Sequence, residues 1–331
     1  MMRAVVITKP GGPEVLRVDS VPVPQPTAEQ VRVAVRATAV NRLDILQRMG
    51  VYPPPPGVPE NIPGVEFAGV VDAVGSSVRE FVPGDRAFGL AGGGTYAEYL
   101  VVHEGTLVRM PDRLSFVEAA AIPEAFITAY DAMVVQGRLG AGETVLINAV
   151  GSGVGTAAVQ IARAISARTI GTARTASKLE AVLKLGLDEG IAVSGPTFAE
   201  EVQRMTAGRG VDVVLELVGG EYLAEDLSCT AAQGRVVVVG LVAGTRAELD
   251  LGVLLRKRLE IRGTVLRSRS LEEKIAVTRA FADHLLPLIE RRVLKAVVDR
   301  VLPLEQAGEA HAYVASNESF GKVVLQVSES S

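Results

Sequence analysis

The sequence predicts an α/β protein in which a doubly wound parallel sheet is inserted between two pieces of a mostly-β domain. Three observations carry this reading. Short apolar segments broken by turns open the chain, apolar runs alternating with helical patterns fill its middle, and β-like segments return at its end. On that pattern the β domain is expected over residues 1–125 plus 293–331, and the inserted unit over 126–292.

In Gln30–Asn41 the apolar Val31, Val33, Val35, Ala37 and Ala39 alternate with Arg32, Ala34, Arg36 and Thr38, the period of a half-buried strand. Gly11-Gly12-Pro13, Gly75-Ser76-Ser77, Pro83-Gly84-Asp85 and Gly92-Gly93-Gly94 supply turns. The run Pro53-Pro54-Pro55-Pro56 reads as a stiff surface loop. From about Pro123 the texture changes. Strands are expected at Thr144–Ala149, Thr169–Ala173, Val211–Val218 and Arg235–Gly240, and helices at Val154–Ala164, Ser177–Leu185 and Tyr222–Ala232. A continuous run such as Val236-Val237-Val238-Val239 suits a strand buried on both faces, and the helical spacers suit crossovers between parallel strands. After a helix at Leu271–Leu286, the segment Leu294–Val327 reads as β again, and so rejoins the first domain.

At 331 residues the chain is long enough for two domains, and 48% hydrophobic with 22% charged residues is an ordinary globular composition. The 34 basic and 38 acidic side chains leave a net charge of −4, which argues against a nucleic-acid or anionic-lipid partner. The single cysteine, Cys229, excludes an intramolecular disulfide and fits a reducing compartment. MMRAVVITKP carries too short an apolar run for a signal peptide, and no stretch approaches ~18 apolar residues, so a soluble, cytoplasmic protein is expected, with no membrane association.

The strongest local signal runs from Val145 to Gln160, where Gly151, Ser152, Gly153, Val154 and Gly155 stand between a buried strand and a helix. Backbone N–H groups and the positive end of that helix can then meet a pyrophosphate. The spacing departs from a strict G-x-G-x-x-G, and the βαβ context carries the assignment. About twenty residues further on, where an NAD enzyme places a carboxylate on its ribose, the chain has Gly171-Thr172-Ala173-Arg174 and no acid. Arg174 and Lys178, with Thr172 and Ser177 as hydroxyl donors, form a cluster suited to a 2′-phosphate, so NADPH is expected over NADH.

Several further stretches resemble one superfamily. Pro63-Gly64-Val65-Glu66-Phe67-Ala68-Gly69, Val82-Pro83-Gly84-Asp85-Arg86, Gly94-Thr95-Tyr96-Ala97-Glu98-Tyr99 and Ala119-Ala120-Ala121-Ile122-Pro123-Glu124, in this domain order, are similar to the medium-chain dehydrogenase/reductases. Within them the chain resembles the zinc-independent, zeta-crystallin-like NADPH:quinone oxidoreductases. The segments 50–57, Leu266-Arg267-Ser268-Arg269, Ala315-Ser316-Asn317 and Gly321–Leu325 resemble the tumour-suppressor-inducible subgroup. The resemblance implies a Rossmann unit inserted in a GroES-like catalytic domain, and a quinone stacked near the nicotinamide in an interdomain cleft.

Zinc alcohol dehydrogenases of the superfamily place Cys where this chain has Asn41 and His where it has Val65. One cysteine and the widely spaced His103, His284 and His311 do not rebuild that site, so no metal is expected, and Glu66 and Asp44 are read as structural carboxylates. By resemblance Asn41 and Tyr52 are the candidate catalytic residues, each able to donate a hydrogen bond to an acceptor. Further cofactor contacts fall on Thr128, Ser152, Gly153, Val154, Leu241, Leu266, Ser268 and Asn317, while Val193 replaces a tyrosine frequent in relatives. Reduction of enones or enals uses the same hydride donor and is the nearest rival activity. Arg256, Lys257, Arg258, Arg262, Arg267 and Arg269 raise RNA binding as a rival of another class. The resemblance also implies a homodimer paired through the Rossmann edge strands at Leu259–Leu266.

Overall fold

The computed structural model describes residues 1–327. It forms two units, one of Met1–Ile127 together with the chain from Leu266 onward, the other of Thr128–Val265.

The first unit is built on antiparallel strands: β1 Met2–Ile7, β2 Leu16–Val21, β3 Gln30–Val40, β4 Glu66–Val74, β5 Arg86–Leu90, β6 Tyr99–His103 and β7 Leu107–Arg109. The alternation read in β3 is real, with Val31, Val33, Val35, Ala37 and Ala39 all buried. β4 and β6 both pair with β3, one on each side of its axis, and β5 and β7 continue outward from β4. Phe67, Tyr96, Val33, Leu100 and Leu325 meet in the core of this unit.

The second unit carries β8 Thr144–Ile147, β9 Arg168–Ala173, β10 Glu189–Ala192, β11 Val211–Glu216, β12 Thr230–Val238 and β13 Glu260–Gly263. All pair in parallel in the order β10-β9-β8-β11-β12-β13, the doubly wound arrangement. β8 and β11 are buried along their whole length, and their centres are the apolar runs Val145–Ile147 and Val213–Leu215 rather than alternations. The helix expected over Tyr222–Ala232 stops at Cys229, where Thr230 turns its hydroxyl back to the carbonyl of Asp226 and begins β12.

The chain then returns to the first unit earlier than the sequence suggests. The helix Leu271–His284 opens on a capping box of Ser270 and Glu273, and its buried Phe281 meets Phe88 edge-on with ring centroids 5.9 Å apart. Residues 266–292 therefore go with the β unit, where the sequence reading had placed them in the α/β unit. The tail holds β14 Val298–Pro303 and β15 Lys322–Gln326, but between them runs an unforeseen helix, Ala307–Ser316. The two strands are parallel, and parallel neighbours need a crossover, which this helix supplies.

Candidate active site

In the second unit, β8 and β11 lie side by side at the point where the strand order reverses, and the turn after β8 occupies their carboxyl end. Ser152 caps the helix Gly153–Ala164, its Oγ accepting from the N–H of Gly155 at 3.0 Å, and the N–H of Thr156 donates to the Ser152 carbonyl. The N–H groups of Gly153 and Val154 stand at the first turn, where no intrahelical acceptor exists, and face outward with the positive helix end. Gly155 is glycine by necessity: a Cβ there would lie 2.5 Å from the Val150 carbonyl oxygen. Ala149 takes a left-handed φ of 49°, a conformation costly for a residue with a Cβ, at the sharpest point of the turn.

Below the turn lies a polar network that sequence reasoning missed. Asn148 donates through Nδ2 to Glu216 and to Asp226 Oδ1, and accepts from Thr172 Oγ1 at 2.9 Å. Glu216 in turn accepts from the N–H groups of Val218 and Gly219. Burial and the neighbouring Glu216 carboxylate push the Asp226 carboxyl far up. The network ties together the carboxyl ends of β8, β9 and β11. Thr172 is committed to it, receiving the N–H of Ala149 as well, and so holds the turn rather than offering its hydroxyl to a phosphate.

Past the end of β9 the chain presents a basic side chain. Arg174 is exposed one residue beyond β9 and forms no ion pair among the described residues. Lys178 approaches the glycine turn: a Cβ on Gly151 would meet its side-chain carbons at 3.1–3.5 Å, so its stem covers that turn. Thr128 Oγ1 is buried without a hydrogen-bond partner, leaving a donor and an acceptor for a bound group. Leu241 is half exposed beyond β12, and Val193 sits in the core of this unit. Free helix N–H groups at a glycine turn and an unpaired buried hydroxyl together fit a dinucleotide.

The first unit gathers a second polar cluster. Asn41 caps the short helix Arg42–Arg48 in a capping box with Asp44. Its Nδ2 donates to Glu66 Oε1 at 2.8 Å, and its Oδ1 accepts from Lys322 Nζ. Lys322 also forms an ion pair with Glu66 Oε1 at 2.6 Å, both side chains being almost fully buried. The Asn41 amide is thus spent on the cluster at both ends, and its role is to hold Glu66 and Lys322, not to donate to an acceptor. Asp44 accepts from the N–H groups of Asn41 and Gly64 and from Tyr96 Oη, while burial lifts its carboxyl to about 6. Tyr96 reaches on to His311 Nε2 at 3.1 Å, and burial pushes that imidazole down to about 3, so it is neutral. Glu66 Oε2 takes the N–H of Glu124, whose own carboxyl is lifted to about 8 by burial and the Glu66 carboxylate. An amide, a valine and a carboxylate already paired with an ammonium do not fit zinc, whose sites need deprotonated S, N or O donors free to bind.

Tyr52 stands half-buried at this cluster with the Arg267 guanidinium 5.6 Å from its ring centroid, and its hydroxyl has no hydrogen-bond partner among the described residues. Arg267 is itself buried and donates to the Gly92 carbonyl and to Gln47 Oε1, which fixes the segment carrying Leu266 and the exposed Ser268. Asn317 ends the helix Ala307–Ser316 in a left-handed conformation and accepts from Arg42, so its amide closes a helix. Three of the basic residues suggested for RNA are engaged within the protein. Arg267 is buried, Lys257 Nζ caps the carbonyls of Leu227, Ser228 and Thr230, and Arg262 bonds Gln136 beside Glu260. Lys322, Glu124, Tyr96 and His311 are not among the candidate site residues, although Tyr96, Glu124 and Lys322 lie in stretches that carry the resemblance. The one signal for them was a lysine and a histidine inside apolar stretches, where a charge or an imidazole must find partners.

Comparison with known proteins agrees with this architecture. Residues 27–112 match the alcohol dehydrogenase GroES-like domain, and residues 153–282 match the family described as zinc-binding dehydrogenase. A quinone oxidoreductase of Lama guanicoe is 35% identical over 98% of this chain and 97% of its own length. The crystal structure of an NAD-dependent alcohol dehydrogenase superposes with a TM-score of 0.87 at 37% identity, covering 99% of this chain and 100% of that one. The Escherichia coli quinone oxidoreductase complexed with NADPH gives 0.88 at 29% identity, covering 98% and 100%. On these similarities the chain is an oxidoreductase and belongs to the medium-chain dehydrogenase/reductase superfamily, with its zeta-crystallin-like quinone oxidoreductases.

Proposed function

We propose that the protein reduces quinones with NADPH and without a metal. The observation that carries the reading is the basic ribose end: Arg174 is exposed where an NAD enzyme would present a carboxylate. The Escherichia coli relative was crystallised with NADPH, which supports the same cofactor here, although another structural relative is an NAD-dependent alcohol dehydrogenase. When bound, NADPH supplies the hydride. Gly153 and Val154 N–H groups hold the pyrophosphate, Lys178 covers the turn, and Arg174 pairs with the 2′-phosphate. A quinone spreads incoming charge over a conjugated ring, so orientation and a donor to its oxygen are the main demands. Tyr52, with its hydroxyl unbonded, offers that donor.

The enone or enal reading differs in needing a proton on carbon. A panel of ortho-quinones, para-quinones and enones, assayed by NADPH and NADH oxidation with and without a chelator, separates them. Quinone turnover preferring NADPH and insensitive to chelation is expected; turnover confined to alcohols or lost on chelation refutes the proposal. The homodimer belongs to the same reading. β13 pairs only with β12 among the described residues and exposes all of Glu260–Gly263, an edge that a second copy would cover. Equilibrium sedimentation tests it, and a monomer would remove it. No helix among the described residues is long and apolar enough to cross a membrane.

A further inference from the structure

Within the polar cluster of the first unit every carboxyl but one is fully used. Asp44 accepts from Asn41, Gly64 and Tyr96, and Glu66 accepts from Asn41, Lys322 and the backbone of Glu124. The Glu124 carboxyl has no hydrogen-bond partner among the described residues, and the residue is half-buried rather than sealed. It is nonetheless fixed in place. Glu124 is the second residue of the helix Pro123–Tyr130, and its own N–H is held 2.8 Å from Glu66 Oε2.

We propose that Glu124 is the general acid of the reaction, the side chain that hands a proton to the acceptor as it is reduced; the assignment rests on the reductase reading above. The charged groups around it come from each neighbouring element: Glu66 from β4 and Asp44 from the helix Arg42–Arg48 favour the protonated form, while Lys322 from β15 and Arg267 from the returning segment oppose it. Burial and the carboxylates prevail, and the group holds its proton up to about pH 8. A neutral, unbonded and reachable carboxylic acid is what proton donation at neutral pH requires.

The balance is simple. A quinone takes two electrons and a proton as hydride, the Glu124 O–H bond breaks, its proton completes the hydroquinone, and the carboxylate left behind is reprotonated from water. With an enone, hydride adds to the β carbon and the Glu124 proton goes to the α carbon of the enolate. Oxygen can draw its proton from water, carbon much less readily, so the two acceptors depend on Glu124 to different extents.

Glu124→Gln and Glu124→Asp provide the test, in the full chain. Glu124→Gln should lower kcat about tenfold with a quinone and about 100-fold or more with an enone the wild type accepts. NADPH affinity, read by fluorescence titration, should not change, and Glu124→Asp should recover part of the rate. Wild-type kcat should fall above about pH 8, and that limb should vanish in Glu124→Gln. Carbon NMR of the nucleotide-free protein with labelled glutamate carboxyls, assigned by the missing signal of Glu124→Gln, should show a carboxyl titrating near pH 8. A folded Glu124→Gln with wild-type rates and an unchanged alkaline limb overturns the assignment, as does a Glu124 carboxyl titrating in the ordinary range near ~4.3. If the wild type reduces neither quinone nor enone, the reductase reading falls and this one with it. If the wild type is active and Glu124→Gln equals it, only the role of Glu124 is lost.

Discussion

Lys322→Met removes an ammonium that lies 2.6 Å from Glu66 Oε1, with 6% of the lysine side chain and none of the glutamate exposed. At an effective dielectric of ~20, opposite charges at that separation attract by roughly 6 kcal/mol. Burying the two ions costs several kcal/mol each, so the intact pair contributes little net stability. The variant loses the attraction and keeps the cost for Glu66. That asymmetry puts the destabilisation at about 3–5 kcal/mol, toward the lower end because Asn41 Nδ2 and the Glu124 N–H still donate to the carboxylate. Because the chain has two units, a single melting curve mixes their responses; hydrogen exchange of peptides from β3, β4 and β15 reads the first unit alone. Adding Glu66→Gln removes the second charge and should recover most of the loss. A Lys322→Met deficit under about 1 kcal/mol would refute the picture of a buried charge pair at the heart of the cluster.

Three other expectations are as direct. Arg174→Ala should weaken NADPH about tenfold and leave NADH unchanged, whereas Lys178→Ala, removing the stem over Gly151, should weaken both; fluorescence titrations decide, and equal loss in Arg174→Ala would return that residue to a solvated surface. Gly155→Ala must push a Cβ against the Val150 carbonyl at 2.5 Å, so it should cost about 1–3 kcal/mol by urea unfolding and abolish tight binding of both nucleotides; a normal nucleotide affinity would contradict the close approach. His311 is buried as the neutral base, lowered from 6.5 to about 3, so its contribution to stability is complete above about pH 6.5 and is lost as pH falls toward about 3. His311→Gln should therefore lose less stability than the wild type between about pH 6.5 and 4.5, by on the order of 3 kcal/mol, and identical acid profiles would count against it.

What the sequence revealed follows from which interactions are local. The strand β3 shows itself by alternation, and β8 and β11 by the apolar runs Val145–Ile147 and Val213–Leu215 at their centres, because burial on one face or both leaves a pattern that neighbouring residues carry between them. The glycine turn is legible for the same reason: Gly155 answers to Val150, five residues away, and Ser152 to Gly155, three residues away. The polar clusters have no such period. Lys322 finds Glu66 across 256 positions of chain, Asn148 finds Glu216 across 68, and His311 finds Tyr96 across 215, pairings that only the assembled sheets create. Asn41 is the instructive case. Its type and place after a strand pointed correctly to an important polar position, but an amide has a donor end and an acceptor end, and here Glu66 takes one and Lys322 the other. A residue with both ends satisfied organises a site instead of acting in it, and the group left without a partner, Glu124, becomes the better place to look for chemistry.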